Sequence, residues 1–116
     1  MSNGLLAGKV ALVTGAGSNP GMGRIMALAM IQAGAKVAMA DVNSEALERS
    51  VNDAREIGGD DAAIPIVADV SNPEDAERSI KEALGKLGGL HILVNNAGIG
   101  LNWFDQRANR RPNFWD

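Results

Sequence analysis

Apolar residues fall along the chain in two patterns, short continuous runs and longer stretches with helical spacing. Continuous runs such as Val10–Val13, which Thr14 ends, are typical of strands buried on both faces of a parallel sheet. Stretches with an apolar residue every three or four positions are typical of helices, and a glycine follows each of them. The predicted elements are strands at 10–13, 36–41, 63–68 and 91–94, and helices at 22–33, 44–57 and 73–87.

For two of these helices, the spacing of apolar residues predicts which side chains face the sheet. The first has a broad apolar face and is predicted to be buried, with Ile25, Met26, Leu28, Ala29 and Ile31 on that face. The third begins at Ser71-Asn72-Pro73-Glu74, which combines a capping side chain, a proline and an acid in the first turn. Its predicted inward residues are Ala76, Ile80, Ala83, Leu84 and Leu87.

The alternation of strands and helices predicts an α/β fold whose strands are parallel, because right-handed crossovers bring each strand back in the same direction. A doubly wound, Rossmann-type sheet with the strand order 3-2-1-4 is the expected arrangement. Pro65 lacks a backbone donor and favours the edge position that this order assigns to the third strand. The first two helices should then cover one face of the sheet and the third helix the other.

One helix cannot cover a face made of four strands, and nothing after residue 94 is typical of a further strand or helix. We therefore expect an exposed apolar face and an unpaired edge at the fourth strand. Such features usually mark a partner surface or a missing part of the chain.

Composition limits the class of protein without choosing the function. A length of 116 residues suits one small domain, and a net charge of −3 argues against nucleic-acid binding. No stretch approaches the roughly 20 apolar residues of a membrane span, and Met1–Gly8 lacks the features of a signal peptide. The absence of cysteine fits a cytoplasmic protein. His91, the single histidine, is interpreted as structural, and no metal site is predicted.

A glycine cluster directly after the first strand is the strongest candidate for chemistry. Its members are Gly15, Gly17, Gly21 and Gly23. Because glycine has no Cβ, the backbone can turn sharply and a diphosphate can approach its N–H groups. The positive end of the following helix dipole favours the same anion, so Arg24 is not required. The alternative is a tight turn with no ligand.

An acid follows the second strand at the distance that a dinucleotide site requires. Asp41 lies roughly 20 residues beyond the loop, where this type of fold places the acid that binds a ribose. Its carboxylate can accept both hydroxyls of an adenosine ribose and would repel a 2′-phosphate. The alternative is that Asp41 caps the next helix, although Asn43 and Ser44 are better placed for that.

Four motifs in this order resemble the classical short-chain dehydrogenase/reductase family over residues 8 to about 100. They are Thr14-Gly15 with Gly21-Met22-Gly23, Asp41 after the second strand, Asp69-Val70 after the third, and Asn95-Asn96-Ala97-Gly98 after the fourth. The resemblance implies a dinucleotide-binding domain at 1–98, an irregular segment at 99–116, and family strands that are missing here.

The same resemblance assigns cofactor contacts by position. Gly15, Ser18, Gly21, Met22 and Gly23 would line the pyrophosphate, and Asp41 with Val42 would lie at the adenosine ribose. Asp69 and Val70 would contact the adenine edge, and Asn95, Ala97 and Gly98 the nicotinamide-side ribose, with Asn95 also connecting neighbouring strands. Asp41 favours NAD over NADP.

Two departures from the family pattern bear on activity. Asn19-Pro20 are two extra residues in the glycine loop, which puts the contact of Ser18 in doubt. The family transfers hydride between nicotinamide and an alcohol or carbonyl carbon with the help of a tyrosine, a lysine and a serine, and this chain contains no tyrosine. No catalytic residue is therefore assigned.

The segment 99–116 has a different composition from the rest of the chain. It contains all the aromatic residues, interleaved with arginines: Trp103, Phe104, Phe114 and Trp115 with Arg107, Arg110 and Arg111. We favour a loop leading into the absent half of a longer enzyme. A disordered end and a nucleic-acid contact are the alternatives.

Two functional hypotheses follow from these residues. In the first, the chain is the front of an NAD-dependent oxidoreductase that acts on a small alcohol or carbonyl compound and is active only with its missing half, in a full-length chain or a complementing chain. A homo-oligomer is expected as well. In the second, it is a non-catalytic dinucleotide-binding or interaction module.

Overall fold

The structure, a computed structural model, describes residues 4–17 and 21–96. Its elements are β1 (Val10–Thr14), α1 (Met22–Gln32), β2 (Lys36–Asp41), α2 (Ser44–Gly58), β3 (Ala63–Val67), α3 (Pro73–Leu87) and β4 (Ile92–Val94). Every predicted element is present, and an end that differs from the prediction does so by a single residue. The local signals in the sequence therefore identified both the type and the extent of each element.

The four described strands form one parallel sheet in the order β3-β2-β1-β4, which confirms the predicted topology. Leu12 is in register with Ala38 on one side and with Leu93 on the other. Pro65 lies opposite Met39 on β3, the edge strand of the described sheet. Proline has no backbone N–H, and at an edge that group is not needed for pairing with a further strand. Parallel strands place their carboxyl ends together, so the residues that follow them share one edge of the sheet.

The two faces of the sheet are packed against different helices, as predicted. Helices α1 and α2 cover a buried cluster that includes Ala11, Val13, Val37 and Met39. Helix α3 covers a smaller cluster on the opposite face, formed around Leu12, Ala38, Ala40 and Ile66. The central strands are buried on both sides, which explains their continuous apolar sequence.

The face beneath α3 is only partly covered by the described residues. Leu93 of β4 is 55% exposed, because α3 packs on β1 and β2 and leaves the β4 side open. Leu84, which was predicted to face inward, is 46% exposed. Within residues 4–17 and 21–96, β4 pairs only with β1. An exposed apolar area beside an unpaired edge was the expected outcome.

Helix α1 differs from the prediction that it is buried all along its apolar face. Its buried positions are Gly23, Ala27 and Ile31, which repeat every four residues on the side that packs against the sheet and α2. Ile25 lies on the opposite side and is 54% exposed. Apart from Arg24 and Gln32, every residue of α1 is apolar or glycine, so its pattern alone does not indicate which side faces the sheet.

His91 extends the pairing between β1 and β4 beyond the end of the strand. The ring Nδ1 of His91 accepts a hydrogen bond from the Val10 backbone N–H at 3.0 Å, and the backbone N–H of His91 donates to the Val10 carbonyl at 2.8 Å. The neutral ring with its proton on Nε2 satisfies this geometry. Both bonds support the structural interpretation of this histidine.

Candidate dinucleotide-binding site

The chain turns sharply where β1 ends. Gly15 has a φ of 68°, in the left-handed region that suits glycine. The Ala16 N–H then donates to the Ala40 carbonyl at 3.0 Å, which keeps the start of the loop against β2. This turn directs the glycine loop over the carboxyl edge of the sheet.

Two further glycines permit backbone to approach closely at this edge. A Cβ on Gly23 would lie 2.5 Å from the Gly15 carbonyl oxygen and 2.9 Å from that of Thr14. A Cβ on Gly17 would lie 3.0 Å from the Leu47 nitrogen and 3.1 Å from the Asp41 carboxylate. The first turn of α1 can therefore sit directly against the end of β1, and the loop can sit directly against Asp41.

The amino terminus of α1 differs from those of the other two described helices. Helices α2 and α3 are capped by the side chains of Asn43 and Asn72, and each has acid in its first turn. Gly21 begins α1 without a side-chain cap, and no acid lies in that first turn. The first N–H groups of a helix have no intrahelical acceptor, so this end can take an external anion.

Asp41 lies at the end of β2 and faces the glycine loop. Its Oδ2 accepts a hydrogen bond from the Gly17 N–H at 2.9 Å, and its Oδ1 accepts one from the Asn43 N–H at 3.0 Å. The side chain of Asn43, and not that of Asp41, caps α2 by accepting the Ala46 N–H. The capping alternative for Asp41 is therefore wrong. A carboxylate oxygen accepts about two hydrogen bonds, so each oxygen of Asp41 retains capacity for a hydroxyl.

Ser50 is a residue of this site that the motifs did not reveal. It is 1% exposed on the inner side of α2, and its hydroxyl donates to the Gly17 carbonyl at 3.3 Å. The two backbone polar groups of Gly17 are thus bonded to Asp41 on one side and to Ser50 on the other. A serine at helical spacing among Leu47, Val51 and Ala54 was the available signal.

The residues after β3 lie at the same edge. Asp69 is exposed, and its Oδ1 accepts hydrogen bonds from the hydroxyl and the N–H of Ser71. The hydroxyl bond and then the backbone bond hold the pKa of Asp69 below its usual value. Val70 is half-buried against the cluster beneath α3. This turn therefore presents an ionised carboxylate with an apolar neighbour.

Thr14 connects β1 to the residues that follow β4. Its hydroxyl oxygen lies 3.3 Å from both the Val94 carbonyl oxygen and Asn95 Oδ1, which share its single hydrogen, and it accepts a hydrogen bond from the Asn96 N–H at 2.8 Å. The predicted role of Asn95 in connecting neighbouring strands agrees with this contact. The beginning of the Asn-Asn-Ala-Gly motif is thus held beside the glycine turn.

This geometry is accompanied by similarity to known proteins. The short chain dehydrogenase family model matches residues 9–115. The chain belongs to the short-chain dehydrogenase family. The resemblance drawn from four motifs is therefore confirmed.

Three relatives illustrate the range of this family. Cyclohexanol dehydrogenase of Acinetobacter sp. (strain SE19) is 42% identical over 91 residues, which cover 78% of this chain and 35% of that protein. A short-chain dehydrogenase/reductase from Burkholderia phymatum, solved in complex with NAD, is 39% identical with a TM-score of 0.69 and coverage of 76% and 30%. L-Sorbose reductase from Gluconobacter frateurii, complexed with NADPH and L-sorbose, is 30% identical with a TM-score of 0.74 and coverage of 82% and 35%.

The chain spans about a third of the length of these short-chain dehydrogenases. Ser18, Ala97 and Gly98 lie outside the described residues, as do the extra Asn19-Pro20 and the whole segment 99–116. Their assignments stay predictions. Among residues 4–17 and 21–96, no helix is long and apolar enough to cross a bilayer.

Proposed function

We propose that this chain is the dinucleotide-binding part of an NAD-dependent oxidoreductase, corresponding to residues 1–98. The observation that carries the proposal is the buried Asp41 carboxylate, bonded to the glycine loop beside an uncapped helix end. Close approach of backbone at Gly23 and the free first turn of α1 fit a diphosphate. The remaining acceptor capacity of Asp41 fits the two hydroxyls of an adenosine ribose.

The preference for NAD over NADP follows from charge. In NADP a phosphate group with roughly two negative charges is attached to the 2′-oxygen of the adenosine ribose. Asp41 is proposed to accept a hydrogen bond from the 2′-hydroxyl of NAD, so in NADP the phosphate would lie against its carboxylate. The described edge contains a second ionised carboxylate at Asp69. The family includes proteins solved with NAD and with NADPH, so the choice rests on the residues of this chain.

Each cofactor contact is assigned to a feature of the described edge. The turn at Gly15 and the amides of Gly21, Met22 and Gly23 would surround the pyrophosphate, together with Ser18. Val42 would flank the ribose held by Asp41, and Asp69 with Val70 would line the adenine. Asn95, with Ala97 and Gly98, would lie along the second ribose.

When bound, the nicotinamide supplies or accepts hydride, and the substrate is an alcohol or a carbonyl compound. The residues of this chain bind and orient the dinucleotide. Proton transfer at the substrate oxygen needs a positioned acid or base, and none of these 116 residues is assigned that role. Partners, in the form of a complementing chain or further copies, and a cytoplasmic location belong to the same proposal.

The test is thermal denaturation of the chain with and without NAD. At a concentration one hundredfold above Kd, the ligand should stabilise the folded state by about 2.7 kcal/mol. For a domain of this size that corresponds to a rise in Tm of about 10–20 °C. Asp41→Ala should reduce the rise, whereas Glu82→Ala, on α3 away from the loop, should not. An unchanged Tm at millimolar NAD in the wild-type chain would refute the proposal.

A second candidate function is a non-catalytic dinucleotide-binding module, favoured by the absence of tyrosine from the sequence. Both candidates require NAD to raise the Tm, so binding does not separate them. Oxidation of an alcohol by the purified chain, followed as NADH absorbance, would exclude the non-catalytic module.

A further inference from the structure

An ion pair bridges α1 and α2 next to the glycine loop. Nη2 of Arg24, in the first turn of α1, bonds to Oδ2 of Asp53 in α2. The Arg24 side chain is 20% exposed and that of Asp53 is 47% exposed. The positive charge nearest the helix end is thus paired with a residue outside all the recognised motifs.

This pairing is unexpected at a site proposed to hold phosphates. A cation in the first turn is disfavoured by the helix dipole, and the first turn of α1 contains no acid of its own to offset it. A guanidinium matches phosphate oxygens well because it presents several N–H donors in a planar fork. Asp53 occupies part of that fork and neutralises the charge.

The ion pair lines a hollow of about 290 Å³ between the two helices. Gly17, Arg49 and Ser50 also line the hollow, and the Gly17 N–H is bonded to Asp41. Gly17 therefore lies between Asp41 and the hollow, since its N–H is bonded to Asp41 and its carbonyl to Ser50 on the wall of the hollow. A phosphate on the ribose hydroxyl beside Asp41 would have to extend past Gly17 to reach this hollow, whose wall carries Arg24 and Arg49.

We propose that Asp53 is a specificity-determining residue, which excludes 2′-phosphorylated dinucleotides by holding Arg24. This inference rests on the proposed function. In the wild-type chain a 2′-phosphate is repelled by the negative charge of Asp41, and Arg24 does not offset that repulsion because it is paired with Asp53. Without Asp53, the Arg24 guanidinium gains charge-assisted hydrogen bonds to that phosphate, beside the positive charge that Arg49 supplies in both chains.

The test compares NAD and NADP binding to the 116-residue chain by titration calorimetry. Asp53→Ala should strengthen NADP binding about tenfold more than it strengthens NAD binding, the scale of one charge-assisted hydrogen bond, because only NADP carries the 2′-phosphate. Asp53→Glu keeps a carboxylate in reach of Arg24 and should keep the wild-type preference. Arg24→Ala combined with Asp53→Ala should lose the gain. Glu82→Ala, which breaks the Arg78–Glu82 pair on α3, is the matched control and should leave both affinities unchanged.

The outcomes separate this inference from the proposed function. If the wild-type chain binds NAD but Asp53→Ala binds NADP no better than the wild-type chain does, the specificity role is wrong and the proposed function stands. A gain that persists without Arg24 also overturns it. Failure of the wild-type chain to bind NAD refutes the proposed function itself. Asp53 is half exposed, and Asp53→Asn, which removes only the charge, replaces the alanine variant if that variant does not fold.

Discussion

Alanine at Gly23 tests the close contact between α1 and β1 that forms the candidate site. The added Cβ would lie 2.5 Å from the Gly15 carbonyl oxygen and 2.9 Å from the Thr14 carbonyl oxygen. A Cβ atom essentially never lies closer than 3.0 Å to such a neighbour, so the nearest contact is about 0.5 Å too short. Both opposing atoms are backbone, and neither can rotate away. The start of α1 must therefore move outward from the sheet.

The expected cost follows from two opposing terms. Overpacking of a tight contact typically destabilises by about 1–3 kcal/mol, whereas alanine is favoured over glycine in a helix by up to about 1 kcal/mol. We expect Gly23→Ala to lower the free energy of unfolding by about 1–2 kcal/mol. At about 4–8 °C per kcal/mol, the Tm should fall by about 5–15 °C.

The chain offers a matched control at Gly85. This glycine lies inside α3, and a Cβ there would meet nothing within 4 Å. Gly85→Ala should therefore gain the helix-propensity term alone and raise stability by about 0.5–1 kcal/mol. Urea denaturation followed by far-UV circular dichroism measures both variants. A Gly23→Ala chain as stable as the wild type, alongside a stabilised Gly85→Ala chain, would refute the close-packing argument.

Two further predictions concern individual hydrogen bonds. Ser50→Ala should destabilise the chain by about 0.5–1.5 kcal/mol, because the buried Gly17 carbonyl loses its donor. NAD affinity should fall as well. The control is Ser79→Ala: Ser79 is equally buried on α3, its hydroxyl donates to the Asp75 carbonyl within the same helix, and its loss should leave NAD affinity unchanged. Asp69 should titrate below the ordinary aspartate value in an NMR pH titration, and Ser71→Ala should move it back up. Since the folded-state pKa is lowered, this carboxylate stabilises the fold above its unfolded pKa, and the contribution is lost as pH falls through the folded pKa. An Asp69 midpoint unchanged by Ser71→Ala would contradict the second prediction.

Much of the fold could be predicted because its signals are local. A capping asparagine followed by proline at Asn72-Pro73 begins α3, and Gly88 with a φ of 82° ends it. The position of Pro65 indicated the edge strand before any pairing was known. The residues of the candidate site were identified in the same way, since glycine spacing and the acid after β2 are also sequence-local features, and their cofactor contacts stay predictions. Asp41 reaches the loop because parallel strands necessarily end at one edge.

Which side of a helix is buried could not be predicted in the same way. Ile25 and Leu84 were expected to face the sheet, yet both are about half exposed. Their exposure depends on how α1 and α3 are rotated and on which strands they cover, and an apolar side chain alone does not report this.

By itself, the sequence determined the order and limits of the described strands and helices, the parallel topology, and which glycines and which acid belong to the candidate site. Only the tertiary structure decided that Ser50 holds Gly17 and that Asp53 pairs with Arg24. These contacts join residues that are 33 and 29 positions apart. They form because α2 packs beside α1 on one face of the sheet, and no local pattern of residues specifies which side chains meet across that packing.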